Sequence, residues 1–455
     1  MVVHMVALLI MALIVVTQHR NEAIRLFSDR IGDPLALDDL NMDGDDPTLE
    51  PVEIDSSLPQ VTDPFAAPPP LDLSLQAFKG FTPSSEPAST PQLASLLSGR
   101  EPSMQQALRD LYGGDALTDD AVIKGLAWLA KQQQKNGSWS LRRPYTAGSL
   151  FENRASATAM ALLAFLGNGN THVRGTYKTE VDKGVNFLLD IQKPNGDFFE
   201  GEKGQRRDHW LYTHGQCTIA ICELYAMTRD TRLAESAQRA VKFAVGAQYR
   251  TGGWRYRPAT VVEEEADTSV SGWVMMGLQS AKMAGLEVPK ESLERFSGYL
   301  DTAQDESGWR YGYLAGQSPD TVMTAEALLC RQYLGWSQSD PRLRAGAAYL
   351  TSPENLPTWE DRDVYYWYYA TQMLHHMEGT YWPKWNDAMK PILVKNQVTN
   401  GPDAGSWHPL LPHEDRWGAF GGRLYVTCLS IYILEVYYRH LPLYKDPNEV
   451  LKREG

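Results

Sequence analysis

The sequence predicts an all-α fold: an (α/α)6 toroid, a double ring of six inner and six outer helices. The first observation is a motif of glutamine, glycine and an aromatic residue, which recurs six times at intervals of 48 to 59 residues. The second is a threonine or serine followed by an apolar run, which also recurs six times, at intervals of 47 to 60 residues. Two independent registers thus divide the chain into the same six units, and such a period is typical of repeat architectures.

The first motif is expected to end an amphipathic helix. Its glycine readily takes the left-handed conformation that stops helices. The glutamine amide is expected to bond backbone groups freed at the helix end, while the aromatic ring packs over the turn. The glutamines are Gln132, Gln192, Gln248, Gln304 and Gln397. The aromatic residues are Trp139, Phe198, Trp254, Trp309, Trp359 (in a degraded fifth copy) and Trp407.

Each glycine turn leads through a loop to a second, more apolar helix. The amphipathic helices are predicted at 118–133, 178–192, 232–248, 290–303, 340–351 and 385–397. The more apolar helices are predicted at 153–166, 211–228, 267–284, 320–335, 362–378 and 422–439. Helices that are apolar all round are buried, whereas amphipathic helices face solvent. The apolar set is therefore expected to form the inner ring, and the amphipathic set the outer ring.

The chain before and after the repeats has a different character. Residues 1–19 are predicted to form a single-pass membrane anchor or a signal-like helix, although their apolar run is shorter than the roughly 20 residues of a full span. An acidic, proline-rich linker is predicted over 20–101, the toroid over 102–442 and a tail over 443–455. The side of the membrane that the toroid occupies stays open, because large domains translocate largely regardless of flanking charge.

Charge and cysteine content limit the classes of partner that the chain is expected to bind. The net charge is −13, and residues 20–100 hold 14 acidic against 5 basic side chains. No basic stripe is present, which argues against nucleic acid as a partner. The four cysteines show no CxxC spacing and lie in apolar helical patterns, which predicts small buried thiols. No metal and no cofactor is expected.

The repeats resemble the QW motifs of squalene–hopene cyclases and the related prenyltransferase and squalene-oxidase repeats, over about residues 102–442. The stretch Gly421-Gly422-Arg423-Leu424-Tyr425-Val426-Thr427 looks like that of bacterial membrane-tethered members. The resemblance implies a central cavity whose functional groups come mainly from loops that enter the inner helices. The expected partners are then the membrane, through the N-terminal segment, and an isoprenoid or other lipid.

The acid of the family's class II cyclases has no full counterpart here. Those enzymes protonate an alkene with an Asp-x-Asp-Asp motif, and the literal match, Asp43-Gly44-Asp45-Asp46, lies in the linker, where a solvated acidic run is the better interpretation. The positional match is Asp267-Thr268, at the start of the third inner helix. It has Ala266 in place of the middle acid, and alanine cannot donate a proton. This difference argues against cyclase activity.

Three acids are the catalytic candidates: Asp267, Glu265 and Asp320. The simpler interpretation of Asp267 is a helix N-cap, because aspartate accepts a backbone N–H bond at a helix start. Asp320-Thr321 repeats the arrangement one unit later, which strengthens that interpretation.

Aromatic and basic residues near the inner helices are the candidate cavity lining. Aromatic faces stabilise cations or pack on a polyprenyl chain, and they also stack on sugar rings. Arginines bind anionic groups such as diphosphate. The candidates are Arg154, Tyr212, His214, Trp273, Tyr311, Tyr366, Trp367, Arg423 and Tyr425.

Two alternatives to isoprenoid or lipid binding stay open. The first is a non-catalytic scaffold that binds a protein or peptide, which needs no acid. The second is a carbohydrate-active (α/α) barrel enzyme, which needs two carboxyl groups roughly 5–10 Å apart. Whether the chain is an enzyme is also left open by the sequence.

Overall fold

The computed structural model describes residues 96–201, 209–261 and 265–444, and in these residues every regular element is a helix. The outer helices are α2 (Ala116–Gln132), α4 (Lys178–Ile191), α6 (Thr231–Gly246), α8 (Lys290–Ala303), α10 (Pro341–Leu350) and α12 (Tyr381–Lys395). The inner helices are α3 (Arg154–Gly167), α5 (Trp210–Thr228), α7 (Thr268–Met283), α9 (Thr321–Tyr333), α11 (Val364–Met377) and α13 (Gly418–Leu434). Two short helices, α1 (Pro102–Leu111) and α14 (Val436–Arg439), flank them.

Burial separates the two rings as the sequence predicts. In the inner helix α3, 13 of 14 residues are buried, from Ala155 to Gly167. The outer helix α6 buries only 6 of its 16 residues, along one stripe. The four cysteines lie buried and unpaired within inner helices. The predicted (α/α)6 toroid is confirmed.

The sixth repeat departs from the predicted helices: its outer helix begins at Tyr381 rather than 385, and its inner helix differs at its start as well. The inner helix begins at Gly418 rather than 422, as a short turn that meets the main helix at Gly422. Gly422 has a φ of 72°, and a Cβ there would lie 2.2 Å from the backbone nitrogen of Ser149. The short helix α1 was not predicted.

In four of the six repeats a glutamine joins the repeat to the next. Gln248 Nε2 donates to the carbonyl oxygen of Gly252 in its own turn (2.6 Å) and to that of Ser292 in the following outer helix (2.9 Å). Gln192 and Gln397 bridge the equivalent positions. In the first repeat Gln133 forms this bridge, not Gln132 as the sequence analysis had it. Each amide therefore satisfies two carbonyl groups that belong to different repeats.

The motif glycine lets the next outer helix come close. Gly252 has a φ of +98°, and a Cβ on it would lie 2.0 Å from the carbonyl oxygen of Arg295 in α8. The turns at Gly137, Gly196 and Gly405 approach the following helix in the same way. Neither the backbone conformation nor the space tolerates a side chain here.

The residues of the two repeated motifs are hydrogen-bonded to each other. The backbone nitrogen of Trp254 donates to Ser271 Oγ on the inner helix (2.8 Å), and the Trp254 indole nitrogen donates to Ala244 O on the outer helix (2.7 Å). Trp139 and Trp407 make the same backbone contact with Thr158 and Thr427. In the fourth repeat the aromatic residue in this position is Tyr311, whose nitrogen donates to Thr324 Oγ1, and not the predicted Trp309.

The sixth repeat closes the ring on the first. Gln397 Nε2 donates to Ala121 O in α2 (2.8 Å), and the Tyr432 hydroxyl of α13 donates to Met160 O in α3. Among the described residues, no helix is long and apolar enough to cross a membrane. The predicted anchor at 1–19, the linker up to residue 95 and the tail from 445 lie outside the described residues.

A glycine substitution tests this packing. Gly252→Ala is expected to lower the free energy of unfolding by about 3 kcal/mol, because alanine meets both an unfavourable φ and the Arg295 carbonyl. The matched control is Gly316→Ala: Gly316 has a φ of +73°, but no atom lies within 4 Å of an added Cβ. The control should lose only about 1 kcal/mol. Urea unfolding of the two variants measures the difference, and equal losses would contradict the close helix approach.

Candidate active site at the mouth of the toroid

The first turns of the six inner helices lie together at one end of the toroid, which we call the mouth. Asn153 Nδ2 donates to Thr213 Oγ1 on the next inner helix (2.8 Å), and the Tyr212 hydroxyl lies 2.6 Å from Ser269 Oγ on the one after. Helix N-termini carry partial positive charge, so the mouth favours carboxylates and other acceptors.

Four inner helices begin with the same side-chain cap. In each, an oxygen of the capping residue accepts the backbone N–H of the residue three positions on. The capping residues are Asn153, Asp267, Asp320 and Asp363. The N-cap interpretation of Asp267 and Asp320 is therefore confirmed.

Capping uses only one oxygen of Asp267. Its Oδ1 accepts the Val270 N–H at 2.7 Å, while its Oδ2 is not used by the cap and lies 3.9 Å from Arg255 Nε. The side chain has no solvent exposure. Burial raises the pKa of Asp267 to about 7, although the Val270 N–H, the Arg255 guanidinium and the Tyr313 hydroxyl each lower it. Near neutral pH this carboxyl can therefore hold a proton and release it.

The neighbouring acid candidates occupy different surroundings. Glu265 is exposed, and Asp320 is exposed at the rim of the mouth. Ala266, at the position of the family's middle acid, is fully buried, and a Cβ added at Gly253 would lie 2.7 Å from its methyl group. Position 266 thus faces the core, and Asp267 is the buried acid at the mouth.

Tyrosine hydroxyls connect the mouth to a second buried acid that the sequence analysis missed. Ser269 Oγ lies 2.6 Å from the Tyr212 hydroxyl and 2.8 Å from the Tyr365 hydroxyl. The Tyr365 hydroxyl in turn lies 3.2 Å from Glu326 Oε2. Glu326 stands alone among apolar residues in α9, and a single acid in an apolar helix was the signal that could have identified it.

A separate pair of tyrosines flanks Asp267. The hydroxyl groups of Tyr256 and Tyr313 lie 2.5 Å apart, and both side chains are half-buried. The carboxylate of Asp267 contributes to raising the pKa of Tyr313, after burial. The acid therefore lies among aromatic hydroxyl groups rather than in bulk water.

The centre of the inner ring is filled with aromatic side chains. Trp273 stacks on Tyr368 with ring centres 5.7 Å apart, and Tyr368 lies 5.6 Å from Tyr432. Beyond this layer, towards the C-terminal ends of the inner helices, lies a cavity of about 20 Å³ whose lining includes Glu223 and Arg439. That volume suits one or two water molecules, not a lipid.

Four of the predicted lining residues lie in the wall between the two rings. His214 Nε2 lies 3.0 Å from Ala240 O, and the Tyr366 hydroxyl donates to Asn355 O. The four residues are His214, Tyr311, Tyr366 and Trp367, and all are buried. Their contacts are those of core packing.

Three predicted lining residues remain half-buried around the mouth: Arg154, Tyr212 and Tyr425. Trp273 belongs to the central aromatic layer. The mouth and the centre thus account for four of the predicted lining residues, and the wall for four more.

Arg423, predicted as an anion ligand, is held by the protein itself. It is 2% exposed, and its guanidinium donates to Thr146 O (2.8 Å), Thr146 Oγ1 (2.9 Å) and Ser406 Oγ (2.9 Å). Asp403 Oδ2 lies 3.5 Å from its Nε. The arginine therefore ties the loop before α3 to the sixth repeat.

No family model and no curated protein matches the sequence. Among solved structures, an α-1,6-mannanase (GH76A) from Salegentibacter sp. HEL1_6 has a TM-score of 0.51 at 13% identity, covering 70% of this chain and 98% of its own. An α-amylase from Clostridium perfringens gives 0.49 at 10% identity, with coverages of 70% and 98%. The type II terpene cyclase MstE from Scytonema gives 0.47 at 14% identity, with coverages of 71% and 97%.

At these identities the likeness to the mannanase shows the fold alone. The (α/α)6 toroid is thus common to this chain and to a carbohydrate-active enzyme. The chemistry of the mouth has to be argued from its own residues.

The role of Arg423 can be tested by a charge-removing substitution. Arg423→Gln is expected to lower the free energy of unfolding by about 2–4 kcal/mol, because buried partners lose a charged donor. The control is Arg416→Gln, since Arg416 is exposed and lies 3.8 Å from Asp363 Oδ2; it should lose less than about 0.5 kcal/mol. Thermal unfolding without ligand measures both. An Arg423 variant as stable as the wild type would instead favour a ligand-binding role.

Proposed function

We propose that the mouth binds an isoprenoid or other lipid and that Asp267 acts there as a general acid. The observation that carries this proposal is the second oxygen of Asp267, which is buried, lies at the mouth and is not used by the helix cap. A carboxyl group whose pKa is about 7 is well suited to donate a proton at neutral pH.

The surroundings of Asp267 support an unsaturated or cation-forming ligand. Half-buried aromatic rings line the mouth, including Tyr212 and Tyr425, and Phe151 stacks on Phe420 with ring centres 6.1 Å apart. The negative faces of such rings stabilise positive charge and pack on apolar chains. A lone carboxyl protonates an alkene poorly, and position 266 supplies no second acid. We therefore propose that Asp267 gives its proton to an oxygen of the ligand as the C–O bond breaks. The electron pair stays on the oxygen that leaves, and the aromatic faces stabilise the carbon cation that remains.

The anchor predicted at residues 1–19 would place the toroid near its ligand. We propose that this segment tethers the chain to a bacterial membrane and that the part of the predicted linker up to residue 95 gives the toroid a variable reach, since Leu96, Leu97 and Arg100 are already buried. The side of the membrane is left open in this proposal.

A carbohydrate-active enzyme is the second candidate. Asp267 is fully buried and Asp320 is exposed, yet both cap consecutive inner helices at the same mouth. Desolvation raises the pKa of both carboxyl groups, that of Asp267 to about 7. Paired carboxyl groups with tuned pKa values are typical of acid–base catalysis, including glycoside hydrolysis. The half-buried tyrosines would then stack on sugar rings.

Lipid binding is tested first with the full-length chain purified from membranes. Native mass spectrometry and lipid extraction should recover a polyprenyl or triterpene species, and added geranylgeraniol should bind while α-1,6-mannotriose does not. Mannotriose binding, with no lipid recovered, would overturn the isoprenoid proposal in favour of the sugar enzyme. Failure of both probes, with no lipid recovered, would leave the non-catalytic scaffold.

The role of Asp267 is tested by its amide variant and by pH. Asp267→Asn should keep ligand binding, because the amide still donates a hydrogen bond, but should lower turnover of the extracted lipid by about 10²–10⁴-fold. In the wild type, turnover should fall as the pH rises through about 7, because the acid loses its proton. Asp320→Asn is the matched control, and equal losses in the two variants would contradict the assignment to Asp267.

A further inference from the structure

Glu326 is a carboxyl group for which the inner ring makes room. It lies on α9, two residues beyond the buried Thr324, and has no solvent exposure. A Cβ added at Gly272 on α7 would lie 1.9 Å from Glu326 Oε1. The glycine therefore leaves the space that the carboxyl occupies.

Within the described residues, the ionisable groups that act on Glu326 are carboxyl groups, phenols and one thiol. They come from its own helix and from α5, α7, α11 and α13, and none of them is a cation. They are Tyr212, Asp267, Asp320, Cys330, Tyr365, Tyr369 and Tyr425. A buried carboxylate without a cationic partner is strongly disfavoured, so burial and the nearby acids raise the pKa of Glu326 well above its usual range.

Protonation of Glu326 decides the direction of the hydrogen-bond chain that leaves it. The chain runs from Glu326 to Tyr365 (3.2 Å), then to Ser269 (2.8 Å) and finally to Tyr212 (2.6 Å). If Glu326 is protonated and donates to the Tyr365 oxygen, each following hydroxyl donates to the next. The proton of the last hydroxyl, on the half-buried Tyr212, is then left to donate at the mouth.

An ionised Glu326 would reverse the direction of every hydrogen bond in this chain. Tyr365 would donate to the carboxylate, Ser269 to Tyr365, and Tyr212 to Ser269. The Tyr212 oxygen would then be only an acceptor at the mouth. The protonation state of one buried acid thus decides whether the Tyr212 hydroxyl can donate a hydrogen bond to a ligand at the mouth.

We propose that protonated Glu326 orients this chain so that the Tyr212 hydroxyl donates a hydrogen bond to an oxygen of the ligand. Tyr212 is then a binding residue that prefers a hydroxyl, carbonyl or ether group, and Glu326 is a positioning residue. The identity of the ligand rests on the proposed function, whereas the direction of the chain does not.

Infrared difference spectroscopy tests the direction of the hydrogen-bond chain without any ligand. The spectrum of the wild-type full-length protein minus that of Glu326→Gln should contain the C=O band of a protonated carboxyl at pH 8, and this band should shift in deuterium oxide. The C–O band of Tyr212, assigned with Tyr212→Phe, should be that of a phenol whose oxygen accepts a hydrogen bond, because Ser269 donates to it in the proposed direction, and not that of a phenol that only donates. A carboxylate band in place of the C=O band would overturn the proposal.

Binding of geranylgeraniol, used as the probe, tests the effect of the hydrogen-bond chain at the mouth. Tyr212→Phe and Tyr365→Phe should each weaken binding by about 5- to 10-fold, because the donor is lost or no longer oriented. Glu326→Gln should bind as the wild type does, since its amide still donates to Tyr365. The control is Tyr368→Phe, on the same helix as Tyr365 but outside the chain, which should also bind normally.

The outcomes separate this proposal from the proposed function. If geranylgeraniol does not bind the wild type, the proposed function fails, and the infrared bands still decide the direction of the chain. If the probe binds but Tyr365→Phe binds as tightly as the wild type, or Glu326→Gln binds as weakly as Tyr212→Phe, the positioning role of Glu326 is wrong.

Discussion

The hydrogen bonds of one glutamine amide hold successive repeats in register. In the third repeat, Gln248 bonds its own glycine turn and the next outer helix at once. Because the Arg295 carbonyl of that outer helix lies directly against Gly252, the turn also fixes where the outer helix packs. The turns of four repeats are also bonded to the following inner helix, through Ser271 and its counterparts Thr158, Thr324 and Thr427, so these inner helices begin at the same end of the ring. The mouth is therefore a consequence of the hydrogen bonds that the glutamine and the glycine turn make between repeats.

Convergence of six helix N-termini also explains why acids collect at the mouth. Backbone N–H groups there need acceptors, and an aspartate cap supplies one. Asp267 meets this structural need with Oδ1 and keeps Oδ2 for another contact. The opposite side of the central aromatic layer holds paired charges instead: Arg100 Nη1 lies 2.8 Å from Glu223 Oε2. The fold thus places buried acids whose pKa values are raised at one end of the ring and the Arg100–Glu223 ion pair at the other.

The fold could be predicted because its cause is local and repeated: each glutamine–glycine turn and each Thr or Ser register appears in the sequence. The site could be predicted only where a local rule applied, as for Asp267 at a helix start. Glu326 and its partners Ser269 and Tyr365 come from three different helices, so no spacing brings them together. Tyr311 and Arg423 were assigned to the cavity because composition cannot tell a wall residue from a lining residue.

The central claim is that a ligand binds at the mouth, above an aromatic layer that closes the ring. A crystal structure of the full-length chain with geranylgeraniol tests it most directly. We predict density whose hydroxyl oxygen lies within hydrogen-bond distance of Asp267 Oδ2 and the Tyr212 hydroxyl, with Trp273 and Tyr368 still stacked. A lipid threaded through the centre with Tyr368 displaced, or one bound between outer helices with the mouth empty, would contradict the account.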